Sequence, residues 1–249
     1  MNHLNNLNQF QKILKNYQIS QTNIDLLNQT SLILLLGFSG SGRSTIIKQL
    51  SQSNRYYFLV SDTTRQPRLN NGILEKNGRE YNFISEDQFL KGLKRGDYLE
   101  AEIIHQQQVS GLSLNELKKA KKINKFMITD IDLGGAQKIL QYNHQIKLFF
   151  IIPPSFDVWM SRLYKRDSDM PISELLMRLK TAQKIINTFI KDLNGVIIIN
   201  NDFKLSAQQI DNYLTTGFLE TSDQNKIELL KSLNLDIKKF LAMFGTLDS

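Results

Sequence analysis

Leu32-Ile33-Leu34-Leu35-Leu36-Gly37-Phe38-Ser39-Gly40-Ser41-Gly42-Arg43-Ser44-Thr45 decides how this chain folds. Five apolar residues in a row have the length of a buried strand. The glycine-serine run breaks that strand, and Ser44 to Gln52 resumes with helical character. Strand, glycine-rich turn and helix in that order are the context of a phosphate-binding loop. The glycines let the backbone turn sharply and bring its N–H groups up to phosphate oxygens. The helix N-terminus adds a partial positive charge. Gly37, Ser39, Gly40, Gly42, Arg43, Ser44 and Thr45 are therefore the candidate phosphate ligands, with Ser44 where the hydroxyl ligand of Mg²⁺ belongs. The pattern expects Lys after the last glycine. Arg43 keeps the charge there but carries it on a larger, planar group.

Outward from this stretch, apolar runs and helical periodicities alternate. Tyr57 to Val60, Phe126 to Ile131, Leu148 to Ile152 and Val196 to Ile199 read as further strands. Phe89 to Leu93, Leu114 to Lys122, Phe156 to Leu163 and Ile172 to Ile190 read as helices. The last two are separated by the charged break Lys165 to Met170, and Pro153-Pro154 ends the preceding strand. Asp62 to Asn82 is polar and punctuated by Pro and Gly, which suits a hairpin or excursion. Continuous apolar strands alternating with helices predict an α/β fold with a parallel sheet flanked by helices. Leu4, Leu7, Phe10, Ile13, Leu14 and Tyr17 predict an amphipathic N-terminal helix, followed by a polar stretch near Ser20 to Asn23. Ile227, Leu230, Leu233, Ile237, Leu241 and Phe244 predict another helix near the C-terminus.

Composition narrows the chemistry. The 249 residues include no Cys, which excludes disulfides, thiolate zinc sites and a cysteine nucleophile, and fits a reducing cytoplasm. No run approaches the ~18 apolar residues of a membrane span, and the start of the chain lacks the pattern of a signal peptide. A net charge of +7 suits anionic partners. His3, His105 and His144 show no metal spacing and read as structural or surface residues. Lys118 to Lys125 reads as a solvated helix face, without the interleaved aromatics of a nucleic-acid platform.

A second anion motif follows the second strand. Ser61-Asp62-Thr63-Thr64-Arg65-Gln66-Pro67-Arg68 brings two arginines three apart around a stiffening proline, so that both can converge on one phosphate. Gly78-Arg79-Glu80-Tyr81-Asn82-Phe83 then offers a phenol. Together with the phosphate loop, these segments resemble the guanylate kinase family, which carries S-x-T-T-R-x-P-R and G-x-x-Y-x-F in the same order and spacing. The resemblance runs from about Leu32 to Leu214.

The resemblance implies a P-loop kinase fold with a small GMP-binding subdomain and a helical lid, transferring the γ-phosphate of ATP to GMP with Mg²⁺. It divides the chain into a helical extension (1–30), a guanylate-kinase-like domain (31–219) and a second helical extension (220–249). The GMP-binding region would be about 61–113 and the lid about 155–180. Arg65, Arg68 and Tyr81 would hold the GMP phosphate, while Ser61 and Glu100 would read guanine. Thr129-Asp130-Ile131-Asp132-Leu133-Gly134-Gly135 resembles the family's L-D-I-D-x-Q-G strand end. Asp130 and Asp132, two apart on a strand, would share a face. Asp130 would support Mg²⁺, through water, and Asp132 would lie near guanine. Arg162, Arg166 and Arg178 match the lid arginines that join Arg43 at the transferring phosphate, and Asn200 would lie near adenine. Partners would be ATP and GMP, with no nucleic acid or membrane, and the chain would act as a monomer or homodimer.

Two departures leave alternatives open. The family's Tyr-Gly-Thr/Ser segment is here Ser110-Gly111-Leu112, which removes one phosphate contact and one guanine contact. With Arg43, this touches both substrate subsites. The readings are an active guanylate kinase, a kinase with a different phosphorylated acceptor, and a weak or inactive module that binds nucleotide or protein.

Overall fold

The computed structural model describes residues 4–70, 72–104, 106–218 and 223–245. His3 and His105 lie outside these, as does the expected 219/220 boundary. In chain order the elements begin with α1 (Leu7–Leu14), α2 (Gln21–Asn28), β1 (Leu32–Leu36) and α3 (Arg43–Leu50). Next come β2 (Tyr56–Phe58), β3 (Asp62–Thr63), β4 (Leu69–Asn70), β5 (Ile73–Leu74) and β6 (Asn82–Phe83). The middle holds α4 (Glu86–Arg95), β7 (Tyr98–Ile104), β8 (Gln108–Ser113), α5 (Leu114–Lys121), β9 (Phe126–Ile131) and α6 (Leu133–Tyr142). The chain continues with β10 (Lys147–Ile152), α7 (Phe156–Arg166), α8 (Ile172–Asp192), β11 (Val196–Ile199), α9 (Phe203–Thr216) and α10 (Asp223–Gly245). No helix among the described residues is long and apolar enough to cross a membrane.

A five-stranded sheet has the order β11-β10-β1-β9-β2, in which β10–β11 and β2–β9 pair in parallel. This is the α/β architecture expected from the alternation of apolar runs with helices. A four-stranded sheet, β6-β3-β8-β7, is mixed: β8 pairs antiparallel with both β3 and β7. The excursion from Asp62 to Asn82 contains the expected hairpin, β4–β5.

Several elements depart from the expectations: β7 and β8 arise from tertiary pairing, and the others have local reasons. The polar stretch near Ser20 starts a helix, because the Ser20 hydroxyl caps α2 by accepting from Asn23 N. α6 begins at Leu133 and runs through Gly134 and Gly135, whose low helix propensity hides it. β9 therefore ends at Ile131, and Asp132 lies beyond it; the two aspartates do not share a strand face. α9, Phe203–Thr216, has a short apolar face, of which Ala207 and Ile210 are buried together with Ser206.

The chain forms two compact units. The first comprises Met1–Ile33, Asn54–Thr129 and Gly134–Ile146; the second comprises Leu34–Ser53, Asp130–Leu133 and Lys147–Ser249. In the first, the N-terminal stripe faces the core as its periodicity predicts, with Leu4 and Phe10 buried and Leu7, Ile13, Leu14 and Tyr17 half-buried against it. Phe10 meets Phe89 edge-on at 6.1 Å, and Phe89 stacks on Tyr98 at 4.3 Å. Leu4, Leu90, Leu93 and Val109 close this core. α4 starts with a capping box formed by Ser85 and Gln88.

In the second unit, Phe150 of β10 lies between Phe38 and Phe189. α10 buries Leu230, Leu233 and Ile237, and Asn234 donates to Asn187 of α8 at 2.8 Å. α10 is thus a packed part of this unit. Leu233→Ala is expected to lower stability by about 2–5 kcal/mol, which equilibrium urea unfolding would measure.

Candidate active site

The phosphate loop of the second unit is shaped by its glycines and by three side chains outside it. Gly42 has φ +98°, and a Cβ there would stand 2.1 Å from the Asn200 amide nitrogen, so only glycine fits. Asn200 is buried; its Nδ2 donates to Ser41 O at 2.8 Å, and its Oδ1 accepts from Ser206 Oγ at 3.2 Å. Trp159 Nε1 donates to Ser39 O at 2.7 Å. In a planar trans peptide the C=O and N–H point in opposite directions. Pinning the Ser39 and Ser41 carbonyls therefore turns the N–H groups of Gly40 and Gly42 away from Trp159 and Asn200, as an anion-binding nest requires. The resemblance puts Asn200 near adenine; in the structure its amide latches the loop.

Around the loop gather the expected cations. Arg43 Nη1 donates to Ile131 O at 2.9 Å and lies 3.9 Å from the Asp130 carboxylate. Arg178 is paired with Glu174, stands 3.9 Å from Asp167, and donates from Nη1 to Ser39 Oγ at 3.5 Å. Arg162 Nη2 donates to Asn200 O at 2.8 Å. Burial pulls the Arg162 guanidinium below the ordinary arginine range, and its Nη1 is buried with no hydrogen-bond partner among the described residues. The same holds for Ser41 Oγ. A desolvated cationic N–H and a buried hydroxyl beside a nest of backbone donors suit a polyphosphate. Ser44 and Thr45 are exposed in the first turn of α3, and Arg166 is the last residue of α7. Among the described residues no three His, Asp or Glu side chains gather as a metal cage.

The first unit holds the other motif, organised by a residue that sequence reasoning missed. Glu75 is buried and grips Arg65, with Oε2 2.5 Å from Nη1 and Oε1 3.0 Å from Nη2. It also accepts from Arg68 N at 2.9 Å. Burial pushes the Glu75 carboxyl up, but the hydrogen bonds from Arg65 and Arg68 outweigh it and hold the group below its ordinary value. The one sequence signal near Glu75 is the Asn-Asn-Gly run before it; β5 pairs with β4, and Glu75 N meets Arg68 O at 3.0 Å.

Arg65 lies over the rings of Tyr81 (4.7 Å) and Phe83 (5.5 Å), which fixes its plane. Arg68 Nη2 donates to Gln108 Oε1 at 3.3 Å, and Gln108 Nε2 donates to Ser110 Oγ, itself 2.8 Å from Thr63 Oγ1. The structure thus brings Arg65, Arg68 and Tyr81 together and adds Glu75, Gln108 and Ser110. Glu100 is buried on β7, its Oε1 accepting from Leu112 N at 2.9 Å. The Leu112 side chain is in the core, so position 112 orients Glu100 through its backbone. Ser61 precedes β3, while Asp132 belongs to the second unit.

A strand, a nest of pinned N–H groups and a helix, ringed by arginines, define a P-loop nucleotide-binding protein of the kinase type. Comparison with known proteins narrows the class. The family model described as guanylate kinase matches residues 29–216. A guanylate kinase of Porphyromonas gingivalis is 33% identical over 184 residues, covering 73% of this chain and 94% of that protein. One from Campylobacter jejuni is 34% identical over 203 residues, covering 79% and 94%. The crystal structure of guanylate kinase from Anaplasma phagocytophilum superposes with a TM-score of 0.58 at 26% identity, covering 77% of this chain and 88% of that one. This chain belongs to the guanylate kinase family. The match leaves α1, α2 and α10 outside it.

Two outcomes follow from these contacts. Trp159 is the single tryptophan, so ATP is expected to change its emission. Trp159→Phe keeps a ring but frees the Ser39 carbonyl, and should weaken ATP binding roughly tenfold by calorimetry. Glu75, with its folded pKa below its ordinary 4.5, contributes stability that is present above that ordinary value and is lost as pH falls through the folded one. The stability deficit of Glu75→Gln against the native chain, measured by urea unfolding, should therefore be large at pH 7 and shrink below the ordinary value.

Proposed function

We propose that this chain is a guanylate kinase, transferring the γ-phosphoryl group of ATP to GMP and releasing GDP and ADP. The observation that carries the reading is the presence of two differently built anion cradles. One is a nest of backbone N–H groups beside an arginine cluster, suited to a polyphosphate. The other is an arginine pair organised on Glu75 beside a buried carboxylate, suited to a monophosphate with a base to read.

In this reading Arg65, Arg68 and Tyr81 hold the GMP phosphate, with Gln108 and Ser110 steadying Arg68. Glu100 accepts from the guanine N–H groups, with Ser61 and Asp132 near the base. Gly37, Ser39, Gly40, Gly42, Ser44 and Thr45 receive the ATP phosphates, and Asn200 serves the adenine end through the loop it latches. A phosphate oxygen of GMP attacks the γ-phosphorus as the bond to ADP breaks. Arg43, Arg162, Arg166 and Arg178 stabilise the negative charge spread over the transferred group, which is most of what this reaction needs from a protein. Ser44 and Asp130, the latter through water, would hold Mg²⁺, in keeping with a cation that takes only one or two side chains plus substrate phosphates. That ion would neutralise charge between the ATP phosphates. The division into a catalytic domain at 31–219 with helical extensions on either side belongs to the same reading, as do the 61–113 GMP region, the 155–180 lid, the cytoplasm and a monomer or homodimer.

A second reading, a nucleotide-binding module with weak or no turnover, draws on one observation: the Arg43 guanidinium is engaged by the Ile131 carbonyl. A coupled assay with ATP, Mg²⁺ and GMP separates the two. GMP-dependent ADP formation is expected; a folded chain that binds both nucleotides without turnover would favour the module. In the active enzyme Arg68→Ala loses a charge-assisted contact of about 1.5–3 kcal/mol, and should raise the KM for GMP at least tenfold while leaving that for ATP unchanged.

A further inference from the structure

The strand that carries Glu100 is the outer strand of its sheet. β7 pairs with β8 on one side and, among the described residues, with no strand on the other, so its outward N–H and C=O groups need other partners. At Tyr98 a single side chain supplies both. Tyr17 Oη accepts from Tyr98 N at 3.0 Å and donates to Tyr98 O at 2.7 Å. Burial is the main reason why the Tyr17 phenol titrates above its ordinary value, so it keeps the proton it donates.

The position is a special one. The register of β7 against β8 slips between Tyr98 and Glu100, with Tyr98 opposite Ser113 and Glu100 opposite Leu112, so Leu99 is an inserted residue. Such a bulge changes where the following side chain points, and the following residue is Glu100. On the far side of Glu100, Lys138 Nζ donates to Ala101 O at 3.1 Å. Glu100 is thus bracketed along the open edge.

Tyr17 follows α1, which is firmly seated. Phe10 is fully buried against Phe89. Asn5 N and Asn6 N donate to the Glu86 carboxylate at 3.1 and 2.9 Å, and Leu4 N donates to Gln106 O at 3.4 Å. This whole segment precedes the residues that match the family.

We propose that Tyr17 is a positioning residue for base recognition: by closing the backbone of the Tyr98 bulge it aims Glu100, which makes the N-terminal helix a working part of the GMP site. The inference rests on the reading that Glu100 recognises guanine. The test is calorimetric, so it needs no turnover, and uses the full chain with GMP, ATP and IMP, which lacks the 2-amino group of guanine. Tyr17→Phe keeps the ring and removes only the hydroxyl. It should weaken GMP binding about three- to tenfold, narrow the preference for GMP over IMP, and leave ATP binding within about twofold. A variant with a lower Tm but native affinities for all three nucleotides would overturn the inference, as would equal weakening of GMP and ATP. Glu100→Gln is the parallel control. If it weakens GMP while Tyr17→Phe does not, the positioning role falls and the guanine reading stands. If Glu100→Gln leaves GMP binding and the preference over IMP unchanged, both fall.

Discussion

The hydrogen bond from the buried amide of Asn200 to the Ser41 carbonyl is the constraint on which the nucleotide end of this protein depends. A glycine-rich loop is cheap to bend and therefore cheap to collapse. Asn200 sits at the end of β11, where its own N–H donates to Ile152 O at 2.7 Å, so the latch is tied to the rigid pairing of β10 with β11. Ser206 from α9 fixes the other end of the same amide. Once Ser41 O and Ser39 O are held by Asn200 and Trp159, peptide planarity dictates where the next N–H groups point. The loop is preorganised for anions by groups that need never touch one.

Glu75 solves the converse problem at the other motif. Two arginines brought close together repel each other and are expensive to desolvate. A buried carboxylate between them neutralises part of that charge and fixes both by geometry, the guanidinium of one and the backbone N–H of the other. The rings of Tyr81 and Phe83 under Arg65 then select one plane for its fork. The departure at position 112 acquires a physical reading as well. A leucine there fills the core, and the backbone N–H at the same position takes up the orientation of Glu100.

Legibility from the sequence followed contrast. β1, β10 and β11 are continuous or nearly continuous apolar runs, and β9 begins with one (Phe126 to Ile128), so all four were readable as strands; α1 and α10 carry apolar stripes. β7 and β8 were not read as strands: Leu99 to Ile103 alternates apolar with polar over only five residues, β8 carries Gln108, Ser110 and Gly111, and the pairing that makes them strands is tertiary. α6 was hidden by Gly134-Gly135, and α9 buries only Ser206, Ala207 and Ile210. In the site, Arg65, Arg68, Tyr81 and the phosphate loop stood out because each motif is contiguous. Glu75, Gln108, Trp159 and Tyr17 act across 10, 40, 120 and 81 positions from the residues they hold, with nothing local to mark them.

The sequence by itself determined the class of fold, the family, and the kinds of charge at each anion motif, since these depend on local periodicity and on motifs read within a few residues. Tertiary structure alone decided which groups hold those motifs in shape. A planar peptide can be aimed, a guanidinium oriented and an open strand edge closed only by partners that folding brings near, and their positions along the chain carry no trace of that proximity. The N-terminal helix shows the difference most plainly. Its stripe announced burial, but only the fold revealed that its tyrosine sits on the backbone two residues from Glu100.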